Sequence, residues 1–310
     1  MNSKFKELID EYNTITILTH INPDADTIGT ALGIYNFLRD YGKRRVEVVS
    51  FSKELPHHLD FLPNFSKIKH KISYDESLII SCDTGSIDRL GFYLKDRVII
   101  NIDHHKTNTD YGKLNIVDGS KGSASLVAYH MLCDEPLSKD TASCFYTALL
   151  SDTRYFTTSR VDRDVFRVSL ELLDMGVDHN YIIYNLTSRN SLASIRLQAK
   201  ALESLELHRN GTVASIKVNN STIIETGATM SDTVNIVDIA SSIASVEVAI
   251  VLIEQKNDIK VSLRSINRDL SEIAKSFGGG GHPFACGFNI INSNIEDILD
   301  EILEKIMEIY

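Results

Sequence analysis

Short apolar runs alternate with helical segments through the first part of the chain, and this alternation limits the fold more than any other feature. The runs have the length and composition of buried β-strands, and they lie at residues 14–19, 46–51, 78–82 and 98–102. Residues 26–41, between the first two runs, repeat apolar side chains at helical spacing. Strands that alternate with helices predict an α/β domain with a doubly wound, mainly parallel sheet.

A change of pattern after residue 188 indicates a second, smaller α/β domain. Before and across this point, helices are predicted at residues 122–133, 138–150, 162–175, 180–186 and, as one long helix, 190–208. Beyond it, strands are predicted at 212–218, 246–253 and 259–265, with a turn at 256–258 and helices at 269–277 and 295–309. We therefore divide the chain into a first domain at 1–188, a helical linker at 189–209 and a second domain at 210–310.

The composition argues against several classes of protein. No apolar run approaches the roughly 20 residues that span a bilayer, and no apolar signal-peptide segment follows the first lysines. The four cysteines, Cys82, Cys133, Cys144 and Cys286, have no paired spacing, which indicates reduced thiols. The net charge of −10 argues against a long nucleic acid held along a basic groove. We expect a cytoplasmic protein that binds neither membranes nor long nucleic acids.

Side chains that commonly bind metals follow the apolar runs directly. They are His20, Asp24, Asp26, Asp83, Asp103, His104, His105 and Asp152. Three of these groups follow predicted strands, and Asp152 ends a predicted helix. Because the carboxyl ends of parallel strands form the ligand crevice of an open α/β sheet, we expect these side chains to converge at one edge.

Each of these side chains also has an ordinary structural interpretation. His20 could be a buried, hydrogen-bonded histidine, Asp26 could be the N-cap of the following helix, and Asp103 could cap a turn. Four such coincidences at the ends of apolar runs are a weaker explanation than one metal site. Two carboxylates 4 Å apart repel by about 4 kcal/mol at an effective dielectric constant of 20, and cations would reverse that sign. Mixed carboxylate and imidazole ligands suit Mn, Fe, Co or Zn better than Ca.

Two motifs in this chain resemble those of a known family. The first-domain motif consists of His20-x-x-x-Asp24-x-Asp26, Asp83 and the tripeptide Asp103-His104-His105. It resembles the DHH phosphoesterase superfamily, which includes RecJ nucleases, family II pyrophosphatases, nanoRNase/pAp-phosphatases and cyclic-dinucleotide phosphodiesterases. In the second domain, residues 277–287 (FGGGGHPFACG) resemble the GGGH signature of the DHH-associated C-terminal domain. The resemblance covers essentially the whole chain, with Cys286 at a position where relatives commonly carry a small residue such as Ala.

The resemblance implies a centre with two divalent metal ions, for which manganese is the metal we expect. One ion would be held by His20, Asp24 and Asp83, and the other by Asp26, Asp83, His104 and Asp152, with Asp83 bridging. Asp103 would orient a ligand histidine, and His105 would contact the reacting phosphate or assist its leaving group. Two such ions can lower the pKa of a shared water, so no side-chain nucleophile is needed.

The second-domain motif is interpreted as a substrate-binding site. Four consecutive glycines let backbone N–H groups approach an anion closely, although a run of this kind can equally be a flexible loop. His282 after the run favours phosphate binding by Gly279, Gly280, Gly281 and His282. Arg264 resembles a substrate-binding arginine of that domain, and its structural alternative is a surface salt bridge.

The size and motif order best resemble a stand-alone nanoRNase and pAp-phosphatase. Such an enzyme would degrade very short RNAs to mononucleotides, remove the 3′-phosphate of pAp, or do both. A cyclic-di-AMP or pApA phosphodiesterase is the close alternative, and a non-catalytic nucleotide-binding regulator is the alternative from another class. The expected partners are therefore short RNA or small nucleotides such as pAp and dinucleotides. A homodimer is compatible with this interpretation.

Overall fold

A computed structural model describes residues 1–233, 235–291 and 293–308 of the 310-residue chain. The chain divides into two compact units, Met1–Arg189 and Asn190–Tyr310. Within the described residues, no helix is both long enough and apolar enough to cross a membrane. Each unit is built around its own sheet.

The first unit contains a five-stranded parallel sheet. Its strands are β1 (Thr14–Leu18), β2 (Arg45–Val49), β3 (Leu78–Cys82), β4 (Ile99–Asp103) and β5 (Leu114–Val117). The strand order is β2-β1-β3-β4-β5, and every neighbouring pair is parallel. This confirms the predicted α/β sheet. The fifth strand escaped prediction because its four residues are only half-buried and form no continuous apolar run.

The helices of the first unit pack mainly on one face of this sheet. They are α1 (Ser3–Glu11), α2 (Ala25–Asp40), α3 (Ala124–Leu132), α4 (Lys139–Asp152), α5 (Arg163–Asp174) and α6 (His179–Thr187). Together with alternate residues of the strands they enclose the larger hydrophobic core. On the opposite face, Leu18, Val49 and Ile79 pack against Leu90 and Leu94, which lie in and after a 3₁₀ turn rather than on an α-helix.

The strand order places a crevice at the carboxyl ends of β1 and β3. After β1 the chain crosses to β2 on one side, and it then returns to build β3, β4 and β5 on the other side. At such a reversal the connections from neighbouring strand ends leave in opposite directions, which opens a crevice for ligands. The metal-binding residue types found in the sequence follow the strands at this point.

The second unit contains a six-stranded mixed sheet between two helical layers. Its strands are β6 (Glu206–His208), β7 (Val213–Val218), β8 (Val248–Glu254), β9 (Asp258–Ser265), β10 (Gly280–His282) and β11 (Ala285–Ile291). Its helices are α7 (Leu192–Glu203), α8 (Asn220–Thr226), α9 (Ile236–Ser241), α10 (Ser271–Ser276) and α11 (Ile295–Glu308). The order is β10-β11-β9-β8-β7-β6, with β7 and β8 parallel and the other pairs antiparallel. Helices α10 and α11 cover one face, and α7, α8 and α9 cover part of the other.

The long helix predicted at 190–208 is wrong in its last five residues, 204–208. Helix α7 ends at Glu203, where the hydroxyl of Ser204 donates to the carbonyl oxygen of Ala201 at 2.8 Å. Residues Glu206–His208 then form β6, an edge strand antiparallel to β7. Backbone pairing with β7 outweighs the helical spacing of the apolar residues, because tertiary contacts override weak intrinsic propensity. The predicted last helix extends to residue 309, which lies outside the described residues.

Candidate active site

Neighbouring strands of the first sheet deliver the site residues to one edge. His20 lies two residues beyond β1, and Asp83 directly follows β3. Asp103 is the last residue of β4, and His104 and His105 follow it. Because β1, β3 and β4 are adjacent and parallel, their carboxyl ends meet at the same edge of the sheet.

Two helices contribute the remaining carboxylates. Asp24 is the N-cap of α2, since its Oδ1 accepts hydrogen bonds from the backbone N–H groups of Asp26 at 3.0 Å and Thr27 at 3.1 Å. The alternative interpretation of Asp26 as the N-cap is therefore wrong, and Asp26 lies buried in the first turn instead. Asp152 is the last residue of α4.

The structure brings these side chains into three overlapping groups of potential ligand atoms, one of which comprises Asp83, His104 and His105. The His20 set comprises His20, Asp24 and Asp83, and the His104 set comprises Asp26, His104 and Asp152; within each set the ligand atoms lie within 4.8 Å of one another. In the first set, Nε2 of His20 lies 3.7 Å from Oδ1 of Asp24. In the second, Nε2 of His104 lies 3.7 Å from Oδ2 of Asp26 and 3.7 Å from Oδ2 of Asp152.

Asp83 belongs to the His20 set and faces the histidines of both sets. Its Oδ2 is 3.5 Å from Nε2 of His20, and its Oδ1 is 3.3 Å from Nε2 of His104. The residue is buried and has a positive φ of 55°. A left-handed backbone is uncommon outside glycine, although Asp and Asn tolerate it, and such conformations cluster at functional sites. The backbone therefore holds Asp83 in a conformation that presents one oxygen to each set.

The ring orientation of His20 suits metal binding. Its Nδ1 lies 2.9 Å from the carbonyl oxygen of Ile21, which can only accept a hydrogen bond. The neutral ring therefore carries its proton on Nδ1, and the lone pair of Nε2 faces the carboxylates of Asp24 and Asp83. A lone pair directed at carboxylate oxygens is unfavourable unless a cation lies between them, which is the usual arrangement of a ligand histidine.

The ring of His104 is also positioned by contacts at its Nδ1 atom. Its Nδ1 lies 3.2 Å from the carbonyl oxygen of Lys121 and 3.2 Å from Nη1 of Arg160. The ring is 2 % exposed, and Nε2 faces three carboxylates. The guanidinium of Arg160 also lies 4.0 Å from Oδ2 of Asp152, which adds a positive charge at the edge of the His104 set.

Backbone groups hold the carboxylate of Asp26 in place. Its Oδ2 accepts from the N–H of Ala124 at 2.7 Å, and its Oδ1 accepts from the N–H of Ser125 at 3.2 Å. Both donors belong to the first turn of α3, where backbone N–H groups and the helix dipole favour a negative charge. The hydroxyl of Thr30 donates to Oδ1 as well, at 3.2 Å. The position of Asp26 is therefore fixed by α2 and α3 together.

The carboxylates strongly perturb one another's ionisation. Burial raises the pKa of Asp26 well above its usual range, and the charge of Asp83 raises it further. Burial also raises the pKa of Asp152 to about 6. Burial would raise the pKa of Asp83 too, but His104 and His20 outweigh it and hold that pKa below its usual range. The cluster holds more carboxylates than its histidines can compensate, as is typical of a metal site.

The histidines show the complementary shift. Burial acts to lower the pKa of His20, but the carboxylates of Asp24 and Asp83 outweigh it and raise that pKa to about 10. The pKa of His104 is likewise raised to about 10, mainly by Asp83, against the effect of burial. In addition, Oδ1 of Asp83 and Oδ2 of Asp152 are buried without a hydrogen-bond donor. Buried carboxylate oxygens normally have a partner, and a divalent cation fits this set of oxygen and imidazole ligands.

Asp103 makes its close contact with His105. Nδ1 of His105 lies 2.7 Å from Oδ1 of the fully buried Asp103, and the amide of Asn108 donates to the other carboxylate oxygen. The resemblance implied that Asp103 orients a ligand histidine. In the structure, its short hydrogen bond is to His105 and not to the proposed ligand His104. Burial acts to lower the pKa of His105, but Asp103 raises it above the usual range.

In the second unit, the glycine run forms a turn and a short strand. Gly278 ends α10 with a positive φ of 77°, which L-residues rarely adopt. A Cβ on Gly279 would lie 2.3 Å from the carbonyl oxygen of Gly287, and a Cβ on Gly281 would lie 2.6 Å from that of Ala285. Gly280 has neither a positive φ nor a described atom within 4 Å of its Cβ position. Backbone conformation therefore explains Gly278, packing explains Gly279 and Gly281, and the surface beside Gly280 is open.

Arg264 and His282 lie on the same face of the second sheet. Ala285 of β11 pairs with Arg264 of β9 on one side and with His282 of β10 on the other. Directly opposed residues of antiparallel strands project from the same face, so the two basic side chains flank a small one. Nε of Arg264 lies 3.4 Å from Oδ1 of Asp238 on α9. The salt bridge that was the structural alternative for Arg264 is therefore present, on the same face as the open surface at the glycine run.

Both units match domains of one family. The DHH family N-terminal domain matches residues 14–149, and the DHHA1 domain matches residues 210–308. A probable bifunctional oligoribonuclease and PAP phosphatase NrnA from Streptococcus mutans is 30% identical over 95% of this chain and 95% of that protein. The chain belongs to the DHH family. This DHH protein is also 25% identical to the Bacillus subtilis bifunctional oligoribonuclease and PAP phosphatase NrnA, over 99% of this chain and 98% of that one.

The structural comparison agrees with the DHH assignment. A crystal structure of an exopolyphosphatase-related protein from Bacteroides fragilis superimposes with a TM-score of 0.89, at 26% identity, over 97% of this chain and 95% of that one. The DHH chain described here is thus a phosphoesterase of this family. Its site contains groups that could hold divalent metal ions.

Two side chains at this site, Arg160 and Asn108, were not identified from the sequence. Arg160 follows no apolar run and lies in an irregular segment after α4, so no periodic signal marks it. Asn108 lies three residues after His105 in a polar turn, where an asparagine ordinarily indicates only turn formation. Both reach the site because the loops that carry them fold back onto β4 and α4.

Proposed function

We propose that this DHH phosphoesterase hydrolyses very short oligoribonucleotides to mononucleotides and removes the 3′-phosphate of pAp (adenosine 3′,5′-bisphosphate), with two divalent metal ions as cofactors. The observation that carries the proposal is the position of Asp83, whose two carboxylate oxygens face the histidines of two separate ligand sets. The substrate class is supported by the Streptococcus mutans and Bacillus subtilis relatives, whose names describe these two activities and which align over at least 95% of both chains.

We assign one ion to the His20 set and the other to the His104 set, with Asp83 as the shared ligand. Manganese is our choice of metal, since the sets combine carboxylate oxygens with one imidazole each. When bound, the two ions would lower the pKa of the attacking water and neutralise charge on the phosphoryl oxygens. The residues that hold the ions are fixed before binding, by the N-cap of α2 and the first turn of α3.

His105 is the protein's own candidate for proton transfer. Asp103 accepts from Nδ1, which fixes the tautomer and leaves Nε2 as the nitrogen that exchanges a proton with the leaving group. The raised pKa of His105 favours its protonated form, which is the form that a general acid requires. Arg160, beside the His104 set, adds a guanidinium that can stabilise a negative phosphoryl oxygen.

The substrate-binding residues of the second unit are part of the same proposal. They are Arg264, Gly279, Gly280, Gly281 and His282. Arg264 and His282 present two basic groups on one face, with the space above Gly280 beside them. The net charge of −10 suits a small anionic substrate bound by local groups rather than a long nucleic acid. We further propose that the enzyme is cytoplasmic, and a homodimer is compatible with this proposal.

Product analysis with purified protein and Mn²⁺ tests this function. The substrates are pAp, labelled RNAs of two to five nucleotides, a 30-nucleotide RNA and cyclic di-AMP, each resolved by chromatography. We expect mononucleotides from the short RNAs and AMP from pAp, with little product from the long RNA. Turnover of cyclic di-AMP alone would replace the proposal with second-messenger hydrolysis, and no turnover of any substrate would favour a nucleotide-binding regulator.

The variant Asp83→Asn tests the shared ligand. Asparagine tolerates the left-handed backbone at this position, so the loop should keep its shape. We expect wild-type protein to bind two Mn²⁺ per chain by calorimetry, His20→Ala to bind one, and Asp83→Asn to lose activity and tight binding of both. The matched control is Asp88→Ala, an exposed carboxylate five residues away, which should behave as wild type. Full Mn²⁺ binding by Asp83→Asn would contradict the assigned centre.

A further inference from the structure

A polar strip runs along one face of the second sheet beside α9. We define it by Lys260, Ser262 and Arg264 of β9 and by Ala285 and Gly287 of β11. Ser262 is opposite Gly287, and Arg264 is opposite Ala285, so all five lie on one face. The alternate residues of β9, in contrast, are buried in the core under α10 and α11. The strip therefore places two long basic side chains on one face, with the small residues Ala285 and Gly287 beside Arg264 and Ser262.

Lys260 is the unexplained member of this strip. The side chain is half-buried, with Ile253 of β8 opposite on one side and Asn289 of β11 opposite on the other. Across the part of the chain that the structure describes, its ammonium group has no hydrogen-bond acceptor and no carboxylate partner. The nearby Asp258 accepts a hydrogen bond from Asn289 at 2.7 Å. A half-buried ammonium group without a described acceptor can accommodate an anionic ligand.

Burial and a like charge both act on the ammonium group of Lys260. Burial lowers its pKa, and the nearby positive charge of Arg264 lowers it further. Arg264 itself is neutralised in part by Asp238, at 3.4 Å. A bound anion beside Lys260 would offset both effects, because an opposite charge favours the protonated amine. The strip is thus complementary to a ligand with more than one negative group.

We propose that Lys260 binds a second phosphate of the substrate, while Arg264 binds the first. Four residues along a strand separate the two Cα atoms by about 13 Å, a gap that two long, flexible side chains can narrow to the phosphates of one nucleotide. This inference rests on the proposed function and extends it. The enzyme selects short RNAs and nucleotides that carry a free terminal phosphate in addition to the phosphate that is cleaved. Lys260 is then a specificity-determining residue.

Kinetics with a matched pair of dinucleotides test this selection. The pair is pApA and ApA, which differ only in the 5′-phosphate. We expect the wild-type enzyme to prefer pApA, and Lys260→Gln to raise the KM for pApA about 10- to 100-fold while kcat and the kinetics with ApA stay within about twofold. Lys260→Arg should retain most of the preference. Lys256→Gln, an exposed lysine in the preceding turn, is the control and should match wild type.

A binding measurement separates this inference from the proposed function. Calorimetry of the full chain with pAp and with AMP, in EDTA, requires no turnover. We expect Lys260→Gln to bind pAp about 10-fold or more weakly than wild type and to melt at the same temperature. That result would support the phosphate site even if no substrate were hydrolysed. Equal pAp binding by wild type and variant, equal losses for pApA and ApA, or no binding of pAp by wild type would overturn it.

Discussion

Nδ1 of His105 lies 2.7 Å from Oδ1 of Asp103, a carboxylate that is fully buried behind the two ligand sets. The second oxygen of this carboxylate accepts from Asn108. Asp103 therefore acts through His105, and its position is set by a residue in the following turn. The same Nδ1 lies 3.6 Å from Oδ1 of Asp83, so His105 contacts Asp103 more closely than it contacts the proposed bridging ligand.

Replacing Asp103 by Asn should lower kcat by about 100-fold, because the amide no longer fixes the tautomer of His105. Manganese binding should remain at the wild-type stoichiometry. The measurement is kcat for pAp hydrolysis together with Mn²⁺ calorimetry. The variant Asn108→Ala, which removes only the support of Asp103, should show a smaller loss of kcat in the same direction. Loss of a bound Mn²⁺ in Asp103→Asn would show that Asp103 is itself a ligand.

Metal-free protein should become less stable as the pH rises from 7 to 9. The carboxylates raise the pKa values of His20 and His104 to about 10, against the effect of burial, while an unfolded histidine titrates near 6.5. Between pH 7 and 9 the folded state therefore still holds protons that the unfolded chain has already mostly released, so the free energy of unfolding falls with increasing pH. Metal ions compete with the same protons, and Mn²⁺ affinity should rise with pH.

Thermal melting in EDTA and in excess Mn²⁺ checks this pH dependence. The Tm in EDTA should fall between pH 7 and 9, and the increase in Tm on adding Mn²⁺ should grow over the same range. His20→Gln should flatten the EDTA curve, whereas His70→Gln, at an exposed position, should leave it unchanged. A metal-free Tm that is constant across this range would contradict the coupling between the histidines and their carboxylates.

The close contact between α2 and α4 should be needed for the His104 set. A Cβ on Gly29 would lie 2.7 Å from the carbonyl oxygen of Cys144 and 2.8 Å from Cβ of Ala148. Gly29→Ala should therefore separate the helices that carry Asp26 and Asp152, lower stability by about 1–3 kcal/mol and weaken Mn²⁺ binding. Urea unfolding and calorimetry measure the two effects.

The control for this contact is Asp40→Ala, at the exposed end of α2. It should leave both stability and metal affinity close to wild type. If Gly29→Ala lost stability but bound Mn²⁺ as tightly as wild type, the spacing of the two helices would not set the geometry of the site.

Two neighbouring glycines should respond differently to alanine. Gly279→Ala would place a Cβ against the backbone of β11 and should destabilise the second unit by about 1–3 kcal/mol. Gly280→Ala meets no atom within 4 Å and should keep the Tm of wild type, but it should raise the KM for pAp by narrowing the open surface. Melting and steady-state kinetics distinguish the two. An unchanged KM in Gly280→Ala would place the substrate elsewhere.

The sequence by itself determined four of the five strands of the first sheet and the chemical type of the site. The run Leu78–Cys82 is apolar except for Ser81 and is bounded by polar residues, so its composition and length identify a buried strand without tertiary information. The ligand types that follow β1, β3 and β4 were visible because each directly follows such a run. Parallel strands necessarily bring their carboxyl ends to one edge, which made convergence of His20, Asp83 and Asp103 predictable.

Only the tertiary structure decided the features that depend on distant partners. Helix α7 stops before Glu206 because β7 offers an edge for pairing. Asp24 rather than Asp26 caps α2, since the cap depends on the local backbone conformation and not on residue type alone. Asp103 contacts His105, and Arg264 and His282 flank Ala285, because side-chain neighbours across strands follow from register. Period and composition determine local structure, whereas packing between residues far apart in the chain determines which charges meet.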